Sequence, residues 1–395
     1  MLPGRDEIAR ALVNISNILD KELVGYCCKV GGPFGDSAEF RPGGYCVTVP
    51  MRKSNDSKFS KCLRIWYNEL PNIKERSDLV SKALRKSKLP YFLDYEYLER
   101  AVRVNGMVLA GIRMDWENEP TVTLCVFLHN GPTIDQLKKL AQNFLQMCYD
   151  MNRCSFAHGD LSSENMLVKP DNSILLIDYD SMYVPGMHYN QQIAGTEGYQ
   201  HPRRKKEIIK AGPNNDNFSQ IIIYVQLLAF AKQPSLCKQI DSKALLFKEN
   251  DLISSTVFRS SPYFKTLYAL KDNDIEFYLD EVAKAIDQPL DEVKSLCELT
   301  PPSKNRQSES PKPVDDKYRR ERVDTLNTQQ RVSKEPKKVD GKYRYEIPKS
   351  LHIPVGKKGE RCVFCNFIIS NGYPQANNCP NCGAPRVTYK IAEKI

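Results

Sequence analysis

Residues 218–231, FSQIIIYVQLLAFA, form the longest apolar stretch in the chain, interrupted only by Ser219, Gln220 and Gln226. A bilayer span needs roughly 20 such residues, so this stretch is too short to cross a membrane. It is apolar nearly all round a helical wheel and has no face to give to water. That predicts a helix over residues 217–232 buried at the centre of a sizeable domain. A chain of 395 residues can supply the layers that cover it. The opening MLPGRDEIAR carries two acids and no apolar signal core, which predicts no export signal and a cytoplasmic protein.

The patterning around this helix is mixed. Residues 3–23 have helical spacing at Ile8, Leu12 and Ile15, and strand character follows in a stretch broken by glycines, GYCCKVGGPFGDSAEFRPGGYCVTVP. Strands are predicted at 59–66, 97–104 and 107–116, with a charged helix at 73–88 between the first two. After Thr133 the period changes: Leu137, Leu140, Phe144 and Met147 make one apolar stripe on a long helix. Helices are also predicted at 275–286 and 290–296. The class is α+β, sheet-rich before helix-rich, and no internal repeat is present.

Two polar loops flank a short strand. The first is AHGDLSSENMLV, residues 157–168; the second closes SILLIDYD, residues 173–180. An Asp and an Asn on one loop, with a second Asp across a hairpin, can converge on one metal–nucleotide complex. Phosphoryl transfer asks for such a set: a carboxylate to orient the attacking hydroxyl and oxygen ligands to hold Mg²⁺ on the phosphates. The plain alternative is a pair of Asx-rich surface turns.

In their order along the chain these residues resemble the core of the protein-kinase family, an atypical member of the bacterial or phage type. The resemblance covers roughly residues 22 to 300 and implies a bilobal fold that uses ATP with Mg²⁺ or Mn²⁺. Asp160 matches the catalytic-loop base, Asn165 the metal-binding asparagine, and Asp178 the first residue of the metal-binding triplet. Gly195-Thr196-Glu197-Gly198-Tyr199-Gln200-His201-Pro202 resembles the end of an activation segment, with Arg203 in place of its usual glutamate. Asp216 begins a segment similar to the anchoring helix, where the family aspartate ties to the catalytic-loop backbone.

The N-terminal half matches less closely. Gly31, Gly32 and Gly35 stand where a glycine-rich phosphate loop belongs, at imperfect spacing. In the strand KCLRIW, matching Cys62-Leu63-Arg64 to alanine-valine-lysine puts Arg64 in the phosphate-pairing lysine slot. Lys61, three residues earlier, falls on the opposite face by alternation. Glu75 is the acid expected to partner Arg64, and Met114, Asp115 and Trp116 stand as the hinge whose backbone would meet adenine. Gly159 replaces a common arginine, which implies no grip on a phosphorylated activation segment. Ser162 takes the place of a lysine that steadies the phosphate, Tyr179 that of a phenylalanine, and Asp180 that of a glycine, which stiffens and charges the metal loop. Two functions fit: a working serine/threonine kinase acting on a protein, or a nucleotide-binding pseudokinase that serves as a scaffold.

The chain has 13 cysteines; nine are scattered between Cys27 and Cys297 and read as buried thiols. The other four form two CxxC turns, Cys362 with Cys365 and Cys379 with Cys382, with 13 residues between the inner pair. Four thiolates so spaced can surround Zn²⁺ tetrahedrally, and the module is similar to a zinc ribbon. A pair of redox CxxC sites is the alternative. Residues 301–360 carry 16 Lys/Arg against 9 Asp/Glu, so +7 of the chain's net +9 lies there. That basic stretch is a solvated linker or a means of biasing encounters with nucleic acid. Lys357, Lys358, Arg361, Arg386 and Lys390 are available for phosphates and Tyr389 for stacking, and a protein partner is the other possibility for the ribbon.

The expected organisation is an N-terminal helical extension (1–21), a kinase-like N-lobe with hinge (22–116), a C-lobe (117–300), a flexible basic linker (301–342), and an approach segment with the zinc ribbon (343–395, core 359–395).

Overall fold

The computed structural model of the chain describes residues 2–31, 35–42, 45–68, 72–188, 194–207, 209–241 and 244–303, and the short strand segments 360–362, 368–369 and 388–389. Gly32, the linker beyond residue 303, and Cys365, Cys379 and Cys382 lie outside the described residues.

The first half opens with α1 (Arg5–Val13) and continues through β1 (Tyr26–Cys28), a short hairpin of β2 (Val30–Gly31) and β3 (Ser37–Ala38), β4 (Arg41–Pro42), β5 (Cys46–Lys53) and β6 (Lys61–Trp66). Then come α2 (Ile73–Ser87), β7 (Tyr95–Val104) and β8 (Met107–Asp115). The long strands make a six-stranded antiparallel sheet in the order β1-β5-β6-β8-β7, with β4 also paired to β5. β6 is buried on both faces. Leu63 and Ile65 meet Ile8 and Leu12 of α1 in one core, and Cys62 and Trp66 meet Val80 and Leu84 of α2 in the other. Alternation therefore turns Arg64 to the α2 side. Residues 2–21, expected as an extension, share the sheet's own core through α1. Asp20 adds a buried ion pair to Arg113 of β8, 2.7 Å long.

The second half holds β9 (Val122–Thr123), α3 (Leu124–His129), α4 (Ile134–Arg153), β10 (Met166–Val168) and β11 (Ile174–Leu176), then α5 (Asn217–Lys232), α6 (Ser255–Ser260), α7 (Pro262–Tyr268) and α8 (Asn273–Asp287). Thr133 begins α4 with a reciprocal cap: its hydroxyl accepts from the Gln136 N–H at 3.3 Å, and the Gln136 side chain accepts from the Thr133 N–H at 2.9 Å. The stripe Leu137, Leu140, Phe144 and Met147 is buried against α5, where Phe144 stacks on Tyr224. The same Tyr224 also meets Tyr278 of α8 edge to face at 5.1 Å. Helices on both flanks are why α5 can be apolar all round.

Residues 290–296 do not form the expected helix. Two 3₁₀ turns, Leu290–Glu292 and Leu296–Glu298, stand in its place, since Pro289 restarts the chain and Ser295 caps a fresh turn with Glu298. Near the C-terminus β12 (Glu360–Cys362) pairs antiparallel with both β13 (Ile368–Ile369) and β14 (Thr388–Tyr389). Among the described residues no helix is long and apolar enough to cross a membrane.

Candidate active site

The hairpin of β10 and β11 brings the two polar loops together. Leu176 pairs with Met166, and one step further the Ile177 N–H donates to the Asn165 carbonyl at 3.0 Å. Asn165 and Asp178 therefore flank the open end of one hairpin. Behind them the loops pair again, Ala157 with Tyr183, through hydrogen bonds of 3.1 and 2.8 Å.

Three fixed points shape the first loop. His158 is wholly buried; its Nδ1 accepts from the Asp160 N–H, which leaves Nε2 to donate to the Ile177 carbonyl at 2.8 Å. Asp216, the buried residue before α5, takes the N–H groups of His158 and Gly159 on its two carboxylate oxygens, as the resemblance implied. Because that carboxylate faces the loop, it makes no cap bond to its own helix. Arg204 closes the other side, donating to the Gly159 carbonyl at 2.7 Å.

Asp160 is half-buried. Its Oδ1 accepts from the Thr196 N–H at 2.6 Å, and the Asn165 amide donates to its carbonyl at 2.8 Å and its Oδ2 at 3.2 Å. With the Asn165 Nδ2 engaged in this way, its Oδ1 is the atom left for a cation. Ser162 is buried and turns its hydroxyl back to the Asn165 N–H, so it serves the loop's own turn.

Arg64 lies across from them, 7% exposed. Its Nη2 donates to Asp178 Oδ1 at 2.9 Å, to Asp180 Oδ2 at 2.8 Å and to the Cys46 sulfur at 3.3 Å. Burial works to raise the Asp178 pKa, but the guanidinium overrides it and holds this carboxyl below its usual range. Asp180 sits deeper, and burial, reinforced by the Asp178 charge, pushes its pKa up despite Arg64. Burial likewise raises the Cys46 thiol, so Cys46 is a small hydrophobe and not a thiolate.

Glu75 is not the partner of Arg64; it is exposed on α2. The residue α2 sends inward is Arg76, whose Nη2 donates to the Asp180 carbonyl at 2.7 Å. The phase was readable in advance, since Val80 and Leu84 face the core and positions 76 and 77, four and three before Val80, share that face.

Met114 is buried, and the hinge backbone is tied up internally. The Asp115 N–H donates to the Asp94 carbonyl at 3.2 Å and the Trp116 N–H to Ser60 at 3.0 Å. The Asp115 carboxylate takes Lys61 at 2.5 Å, and Trp116 lies edge-on to Phe59 under the Arg41 guanidinium. Neither N–H is open to a base.

Gly31 and Gly35 belong to the β2–β3 hairpin. Gly43 and Gly44, before β5, lie outside the described residues, and Cys46 opens β5 beside Arg64. A cavity of about 380 Å³ between α1 and the β7–β8 turn shares no residue with this cluster.

Tyr179 anchors the second loop. Buried against Phe92, Tyr95 and His158, its hydroxyl accepts from the Leu93 N–H at 2.9 Å and donates to the Leu176 carbonyl at 2.7 Å. Among the described residues no three His, Cys, Asp or Glu side chains converge to hold a metal. Arg64, Asp178, Asn165 and Asp160 are thus linked in one cluster, with Asp180 and Arg76 beside Arg64, and Glu75 and the N–H groups of Asp115 and Trp116 stand apart. No family model matches the chain and no curated protein matches it, which leaves the chemistry to be reasoned from these residues alone.

Proposed function

We propose that the chain is an atypical protein kinase of bilobal kinase-like fold, transferring the terminal phosphoryl group of ATP·Mg²⁺ to a serine or threonine hydroxyl of a protein. The observation that carries this reading is the hairpin that sets Asn165 beside Asp178, with Asp160 bonded to Asn165 and Arg64 opposite. A sheet-rich half whose Arg64 strand is followed by a helix, leading into a helical half anchored by Asp216, supports it further.

In this reading Asp160 orients the acceptor hydroxyl and takes its proton, while the Thr196 N–H keeps its carboxylate aimed. The donor set suits a hard cation: an amide oxygen of Asn165 and the Asp178 carboxylate, whose side chain is 48% exposed. Mg²⁺ held there would neutralise charge on the transferring phosphate. Arg64 would contact the phosphates with a planar fork where an ammonium is usual.

One observation favours a second reading, the nucleotide-binding scaffold. Arg64 is bound to the acid that should hold metal, and the hinge N–H groups are engaged within the protein. At the C-terminus, Cys362, Cys365, Cys379 and Cys382 would hold Zn²⁺. Support comes from the CxxC spacing and from β12, which carries Cys362 and pairs on both edges. Such a ribbon, together with the basic stretch, would tether a protein or nucleic-acid partner near the cleft.

The test is transfer from labelled ATP with Mg²⁺ or Mn²⁺, followed as autophosphorylation and on a generic protein substrate. Asp160→Ala is expected to lower the rate by about 10²–10⁴-fold. Absence of transfer, with a nucleotide-dependent thermal shift intact, would overturn catalysis in favour of the scaffold.

A further inference from the structure

The acids around Arg64 differ in how they are held. Asp178 has a side chain 48% exposed, whereas that of Asp180 is 10% exposed, yet both accept from the same Nη2. A metal arriving on the open side can draw Asp178 away from Arg64. It cannot reach Asp180 by the same path without opening the loop.

Asp180 is also fastened from behind. Its carbonyl accepts from Arg76 of α2 at 2.7 Å, so the position of α2 reaches Arg64 through this one residue. Among the described contacts Arg64 pairs with Asp178 and Asp180 and with neither acid of α2, Glu75 or Asp78. The second carboxylate oxygen, Oδ1, is buried with no hydrogen-bond partner. A buried carboxylate with an unsatisfied oxygen is a poor way to stabilise a fold, so stability alone does not explain an acid at this point.

We infer that Asp180 is the positioning residue for Arg64, fixing its guanidinium for the phosphates, while Asp178 is the acid that Arg64 yields to the metal. The inference rests on the phosphoryl-transfer reading and adds to it a transposed ion pair: the acid that steadies the phosphate-binding cation stands on the metal loop, and the helix contributes a cation that steadies the acid. Without Asp180, Arg64 has only Asp178 to bind and competes with the metal for it.

The experiment is a double-mutant cycle on the full chain with Arg64→Gln, Asp180→Asn and both together, read as kcat, KM for ATP and half-saturating Mg²⁺, beside melting temperature. Asp180→Asn is expected to lower kcat/KM by about tenfold or more and to raise the Mg²⁺ requirement. In the Arg64→Gln background it should add no further loss, because its effect runs through Arg64. Losses that multiply across the cycle, or an Asp180→Asn enzyme with unchanged kcat/KM and Mg²⁺ requirement, would overturn the assignment. Should the asparagine variant fail to fold, Asp180→Gly carries the same cycle. Should wild type bind Mg²⁺·ATP without turnover, the cycle is read in that affinity by calorimetry. A wild type that binds no nucleotide would sink the kinase reading and this role with it, whereas a binding wild type indifferent to Asp180 would sink this role alone.

Discussion

At Gly159 the backbone has a φ of +77°, and a Cβ built there would run into the carbonyl oxygen of Ser181 on the second polar loop. The two loops approach so closely that only glycine fits, for reasons of both space and backbone sign. Gly159→Ala is expected to destabilise the chain by about 3 kcal/mol, from left-handed backbone plus overpacking, measured by urea denaturation; a variant as stable as wild type would mean the loops can part freely. The absence of the usual arginine was visible in the sequence, but its cause was not, because the obstruction comes from a residue 22 positions on. Arg64 was legible, since strand alternation is a strictly local rule. Its partner is not Glu75, the acid the resemblance implies: the helix phase set by Val80 and Leu84 turns position 75 outward and position 76 inward.

Among the elements, α5 shows how a helix can serve the site from its end. The sequence marked it as buried through its unbroken apolar surface, and its bounds fall at Asn217–Lys232. Its first contribution to the candidate site is Asp216, which gathers the two buried N–H groups of His158 and Gly159. Asp216→Ala leaves both donors unsatisfied and is expected to cost roughly 2–6 kcal/mol, at 1–3 for each. The check is chemical denaturation together with hydrogen exchange at residues 158 and 159; protection unchanged in the variant would refute the coupling. The hinge was harder to read, because what closes it off is pairing between strands far apart in sequence: Asp115 with Asp94, Trp116 with Ser60.

For the molecule as a whole, charge and metal separate from chemistry. Most of the net +9, +7 of it, lies in residues 301–360, so the body that holds the candidate site is close to neutral, and several of its buried charges are balanced by neighbouring ones. Arg64 and Arg76 against Asp178 and Asp180 is such a balance, as is Arg113 against Asp20 and Glu96. The proposal of a zinc site on the four C-terminal cysteines rests on their spacing. The full chain is expected to carry about one zinc, the complement of one four-cysteine site, by atomic emission, and Cys379→Ser to lose most of it. A zinc-free chain whose CxxC pairs oxidise reversibly would point to the redox alternative.

The tyrosine in the second loop has a consequence for ligands of the site. Tipping its ring out of the pocket means breaking both hydrogen bonds of the Tyr179 hydroxyl, to Leu93 and Leu176, as well as unpacking three aromatic neighbours. At about 1 kcal/mol for each bond, the everted loop is roughly 30-fold rarer than a phenylalanine would leave it. Compounds that act by capturing an everted loop would find little of it to capture. Selective ligands for this site would have to recognise the loop as it stands, through the half-exposed Asp178 carboxylate, since Cys46 and Arg64 are both buried.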